Sequence, residues 1–160
     1  MKRRILALLP LAALLAACAT QPIGSPASIA ETIARDPQLS TLNGLVAKAG
    51  LTETLKAAGP YTVFAPTNAA FQSVPAKTLD ELAGNPARLK EVLSYHVVPA
   101  KLTAASVKPG NVKSAQGANL ALARAGDFVT VEEAMVEKAD IEASNGIVHK
   151  VDRVLMPPRR

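Results

Sequence analysis

Residues 61–71, YTVFAPTNAAF, decide how the rest of the chain is read. Tyr61 to Ala65 is a short aromatic and β-branched run, the composition of a strand. Pro66 has no N–H for a ladder, so the strand ends there or lies at an edge. Thr67 or Asn68 is placed to cap the helix that Ala69, Ala70 and Phe71 begin. The stretch holds no nucleophile–base pair, no metal-ligand spacing and no phosphate loop. A structural role fits it better. An unpaired polar group buried at such a switch costs about 1–3 kcal/mol, so Thr67 and Asn68 are expected to bond to backbone groups.

Upstream the pattern is helical. Ser28 and Glu31 have the spacing of a capping box, and Leu39, Leu42, Leu45, Val46 and Ala49 recur at helical spacing up to Gly50. In LTETLKAAG, Thr52 is the expected cap and Gly59 the stop, with Pro60 closing off any continuation. Downstream, Thr78 and Glu81 pair as a cap for TLDEL, and Asn85-Pro86 opens a longer helix through ARLKEVLSY.

After His96 the chain turns to short runs of alternating polarity, divided at Pro109-Gly110, Gly117, Gly126-Asp127 and Asn145-Gly146. Asn-Gly between two such runs is a strong hairpin signal. Helices first, then mostly antiparallel strands, with one early strand joining the later sheet, make an α+β domain.

The N-terminus is a separate matter. Lys2-Arg3-Arg4 precede an apolar run from Ile5 to Ala17, which has the layout of an export signal over residues 1–17. Thirteen residues fall short of the roughly 20 that a spanning helix needs. The run ends in Leu15-Ala16-Ala17-Cys18, which resembles a lipobox, and Cys18 is the one cysteine of the chain. A lipidated Cys18 is expected, followed by a flexible tether over 18–27, a domain over 28–157 and a short tail at 158–160. The signal holds three of the 18 basic residues and no acids, so beyond it 15 bases face 13 acids. With that near-neutral balance, three Phe, two Tyr and no Trp, nucleic-acid binding loses its support.

In order and wording, residues 28 to 157 resemble the fasciclin domain family, which includes bacterial members and the repeats of βig-h3 and periostin. The resemblance rests on YTVFAPTNAAF, on YHVVPAKLTAASV at 95–107 and on ASNGIVHKVDRVL at 143–155. Lys150 departs from the pattern, because family members commonly have an apolar residue there. The resemblance implies an antiparallel β-sandwich or wedge with N-terminal helices packed over it. It also implies a surface-anchored adhesion protein without a catalytic step or a cofactor. Its partner would be a cell-surface or matrix receptor or an envelope protein, met by a monomeric domain on the outer membrane or cell surface. The alternative is a periplasm-facing lipoprotein that binds a small apolar ligand or a partner protein.

Tyr95-His96 resembles a segment tied to integrin-mediated adhesion in animal members, and Asp140-Ile141 falls where those members carry an adhesion element. Each has a plainer reading from the residues. Within YHVV, His96 reads as a satisfied core histidine, with Asn68 the expected partner. Alternation puts Asp140 and Glu142 on the outer face of a strand and Ile141 on the inner one. His149 alternates with Ile147 and Val151 and should face the core. Asn145 and Gly146 serve the hairpin. With two histidines and one cysteine, a His/Cys metal site is poorly supported. The neighbouring acids Asp80/Glu81 and Glu132/Glu133 diverge rather than converge. Ser94 lies near His96 but has no identifiable orienting acid.

Overall fold

The computed structural model describes residues 26–158. The expected signal, Cys18 and all of the tether but Pro26 and Ala27 lie outside them. Six helices come mostly before the sheet: α1 (Ile29–Arg35), α2 (Ser40–Lys48), α3 (Thr52–Lys56), α4 (Asn68–Gln72), α5 (Ala76–Gly84) and α6 (Pro86–Tyr95). A 3-10 turn at Pro37–Leu39 leads into α2. The strands are β1 (Tyr61–Pro66), β2 (Val97–Val98), β3 (Gly110–Lys113), β4 (Asn119–Ala125), β5 (Phe128–Val131), β6 (Ala134–Ala143) and β7 (Gly146–Val151). They form one sheet in the order β2-β1-β7-β6-β5-β4-β3. The expected α+β wedge is therefore the observed fold.

The early strand β1 joins the later sheet by lying parallel to β7, from Tyr61 opposite Gly146 to Pro66 opposite Val151. All other pairs are antiparallel. Both strands are buried on both faces, as parallel neighbours generally are. Val63, Ala65 and Val148 meet the helices through Ile29, Ile33, Leu42 and Leu89. Phe64 and Val151 point the other way, towards Leu120, Leu122, Val129 and Val131 of the β4–β5 hairpin. The sheet thus separates two apolar clusters. Its ends nearly meet: Ala115, two residues past β3, donates its N–H to Val97 O in β2 at 2.7 Å.

Ser28 and Glu31 form the full capping box, and Asn85 Oδ1 accepts from Arg88 N at 3.1 Å. Two expected caps are corrected. Thr52 is the first residue of α3 and Thr78 lies inside α5, and neither helix has a side-chain cap. Tertiary packing of Leu51, Leu55 and Leu82 holds these turns instead. The Asn145-Gly146 hairpin forms between β6 and β7, with Ala143 opposite Gly146. Gly146 is already in the strand, however, and neither residue has a positive φ. Its glycine answers to crowding: a Cβ there would lie 1.9 Å from Tyr61 O. Gly59 is constrained likewise, its added Cβ meeting Asn145 O at 2.0 Å. Among the described residues no helix is long and apolar enough to cross a membrane.

Candidate functional site

The first signature block is a junction. Thr67 caps α4, its Oγ1 accepting from Ala70 N, and its own N–H donates to Val151 O. Asn68 does something the local sequence does not announce. Its Oδ1 accepts from Thr41 N at 3.0 Å and its Nδ2 donates to Pro37 O at 2.9 Å. Helix α2 has no side-chain cap of its own. Asn68 supplies one from across the fold.

The stretch ASNGIVHKVDRVL at 143–155 is a junction too. Asn145 Oδ1 accepts from Ile29 N at 2.9 Å, at the start of α1. Its Nδ2 donates to Leu55 O and Ala57 O at 2.7 and 2.8 Å, at the end of α3. Its backbone oxygen accepts from Tyr61 N, where β1 starts. One residue therefore joins two helices to the hairpin and to β1.

Lys150, the departure from the family pattern, sits on the helix-facing side of β7 and is buried. Its ammonium pairs with Asp36 at 2.5 Å and donates to Gln38 Oε1 at 2.9 Å. Burial pushes the Asp36 carboxyl up, but Lys150, the Gln38 N–H and Lys138 outweigh it and hold the carboxyl below its ordinary value. Sequence reasoning missed this pair. The available signal was a lysine inside GIVHKV, a strand otherwise apolar enough to be buried on both faces.

His96 is a core histidine, but not with the expected partner. Nδ1–H donates to Val92 O at 2.7 Å, and Nε2 accepts from Leu155 N at 3.0 Å. Asn68 bonds elsewhere. Burial pushes the imidazole down to about 4, against the pull of the Val92 carbonyl, so the ring is neutral at pH 7. With both nitrogens committed, His96 has no lone pair to offer Ser94. Tyr95 is buried beside it, and its one hydroxyl proton is shared between Asn119 O and Glu132 Oε1, at 3.1 and 3.2 Å. Burial first, then the Glu132 charge, pushes its hydroxyl up to about 12.

Asp140 is exposed and Ile141 packs against the helix-side cluster, as alternation requires. The strand is nevertheless irregular there. The register with β7 shifts between Lys138 and Ile141, and Asp140 has φ +56°, a region aspartate tolerates better than most residues. Its N–H donates to His149 Nδ1 at 3.2 Å, and its Oδ1 accepts from Ala104 N at 2.8 Å. His149 Nε2–H donates to Leu102 O at 2.6 Å, while the ring stacks on Phe64 with centroids 5.5 Å apart. Burial lowers the His149 pKa, partly offset by the Leu102 carbonyl and by Asp140. Thr62 completes the latch, accepting from Leu102 N and donating to Ala100 O. Asp140 and His149 are thus brought together to hold segment 99–107. Tyr95 and His96 are turned inwards to other partners. The four candidate binding residues do not converge.

Two concavities among the described residues bear on function. One, of about 1020 Å3, has mixed charge, with Arg88, Glu91, Asp152 and Arg153 in its walls. The other, of about 590 Å3, has an apolar floor made by Ile33, Val46, Leu55, Val63, Leu93 and Val97. Among the described residues no group of three His, Cys, Asp or Glu could hold a metal ion.

These junctions define a domain class in which signature residues tie helices to a wedge-shaped sheet. A family model for the fasciclin domain matches residues 37–157, and the chain belongs to that family. Helix α1 precedes the matched span, yet Ile29 and Ile33 are in the core. Protein sll1483 of Synechocystis sp. is 45% identical over 136 residues, covering 84% of this chain and 76% of that protein. Cell surface glycolipoprotein MPB83 of Mycobacterium bovis is 36% identical, covering 81% of this chain and 60% of its own length. Among solved structures, a FAS1 domain pair from the insect cell adhesion molecule fasciclin I aligns with a TM-score of 0.69 at 16% identity. It covers 82% of this chain and 51% of the other, and shares the fold.

Proposed function

We propose that the chain is exported, lipidated at Cys18 and displayed on the cell envelope as an adhesion module that acts by surface recognition without a chemical step. Family membership supports the surface role, since fasciclin domains are often found in adhesion and surface proteins. The lipobox-like LAAC at 15–18 and the naming of MPB83 as a cell surface glycolipoprotein support the anchor. The observation that carries the reading is the commitment of the signature side chains. Asn68, Asn145, His96 and His149 all spend their polar atoms on internal backbone groups. What remains for a partner is the outer surface of a stiff frame.

Asp140 is the proposed contact, because it is the one candidate with an exposed carboxylate at a fixed bulge. Weak single contacts suffice when many anchored copies act together, since multivalency raises apparent affinity ~100-fold or more. The test is attachment of cells displaying the full chain to host cells and matrix-coated surfaces. Asp140→Asn keeps an oxygen for Ala104 N and removes the charge. Attachment several-fold weaker with an unchanged melting temperature is the expected result. Unchanged attachment would remove Asp140 from the contact, and absence of attachment by the wild type would remove the adhesive reading. In the same cells Cys18→Ser is expected to move the protein out of the membrane fraction.

A further inference from the structure

We infer that the 590 Å3 cavity is a binding site for a free long-chain fatty acid, a function independent of whether the domain adheres. Its volume lies within the roughly 300–1,000 Å3 usual for small-molecule sites. The cavity lies between the inner ends of α1, α2, α3 and α6 and the β1–β2 pair, so its floor is hydrocarbon: Ile33, Val46, Leu55, Val63, Leu93 and Val97. Burying an alkyl chain against such a floor removes apolar surface from water and is favourable.

The rim is different. It includes Thr54 of α3 and, at the seam where the two ends of the sheet meet, Pro99, Lys113, Ser114, Ala115 and Gly117. Lys113 is the one charged side chain in the lining, no acid accompanies it, and it forms no salt bridge among the described residues. An apolar slot whose one charged lining residue is an exposed lysine complements a single-chain molecule with one anionic head. A single lysine supplies one positive charge, which matches a singly charged head, and the carboxylate is the singly charged head of a free fatty acid.

The rim turn is also built to keep the mouth in place. Ala115 N bonds Val97 O at 2.7 Å, and Ser114 N and Oγ both donate to Ala118 O at 2.8 Å. The Lys113 ammonium is thereby carried on a fixed backbone beside the opening.

The test is photolabelling of cell envelopes containing the full chain with palmitate bearing a terminal diazirine, followed by mapping of the adduct by mass spectrometry. Adducts on the floor residues are expected, because the head at Lys113 places the chain terminus inside. Unlabelled palmitate should compete about fivefold better than hexadecanol, the advantage of one exposed charge pair. Lys113→Glu should abolish that advantage. Ala115→Trp, which narrows the mouth from an exposed position, should cut labelling about tenfold. Labelling scattered over the outer surface, or equal in a folded Ala115→Trp, overturns the site. Equal competition by palmitate and hexadecanol in the wild type overturns the carboxylate. Lys113→Glu is fully at the surface, so the test stands even if Ala115→Trp does not fold.

Discussion

The two halves of the sheet are held together by different means. Around β1 and β7, single side chains reach residues distant in the chain: Asn145 to Ile29, Lys150 to Asp36, Asn68 to Pro37. In the β3–β5 half, the structure rests on hairpin ladders and alternation, with Leu120, Leu122, Val129 and Val131 turned inwards. Its side-chain bonds are shorter in span, such as Ala121 N to Glu132 Oε1 and Arg124 Nη1 to Ala105 O. The first half depends on particular residues. The second depends on a pattern, and a pattern tolerates exchange.

The comparison breaks most easily at Asn145. Asn145→Ala leaves Ile29 N, Leu55 O and Ala57 O without their partner, and a loss of about 3 kcal/mol is expected in urea unfolding. A loss no larger than that of an ordinary surface change would erase the distinction between the halves. A second test uses acid. The folded His96 has its pKa lowered from 6.5 to about 4, so the unfolded chain binds more protons between those values. The histidine's contribution is therefore complete above pH 6.5 and is lost as pH falls towards 4, amounting to roughly 3 kcal/mol. His149 acts in the same direction. Between pH 6.5 and 4 the wild-type stability should fall more steeply than that of His96→Gln, and parallel curves would disprove the linkage. The smallest effect belongs to the hairpin half. Phe128 is 65% exposed at its turn, and Phe128→Ser should change stability by no more than about 0.5 kcal/mol. A larger loss would show that this hairpin depends on its tip.

Local signals were legible in the sequence because their partners are a few residues apart. The Ser28–Glu31 box, the Asn85-Pro86 start and the β6–β7 hairpin all lie within one turn of chain. The inward packing of Ile141 followed from strand alternation. Thr52 and Thr78 show the limit of such signals: each has the right residue at plausible spacing, yet packing places the helix start elsewhere. The partners of Asn68, Asn145 and Lys150, and the Leu155 partner of His96, were not legible, because they are distant in the chain and meet only in the folded domain. The cavity was equally silent. Its floor residues read as ordinary core positions, and only the packed geometry leaves space between them.

The near-closure of the sheet also bears on how copies of this domain tolerate one another. An open sheet offers unpaired backbone along both rims, and neighbouring molecules at high local density can pair through them. Here one rim is the two-residue β2 and the other the four-residue β3, which follows Pro109 and ends at Lys113. The bond from Ala115 to Val97 draws the two rims together. Crowded copies are left with almost no free edge on which a cross-β assembly could grow.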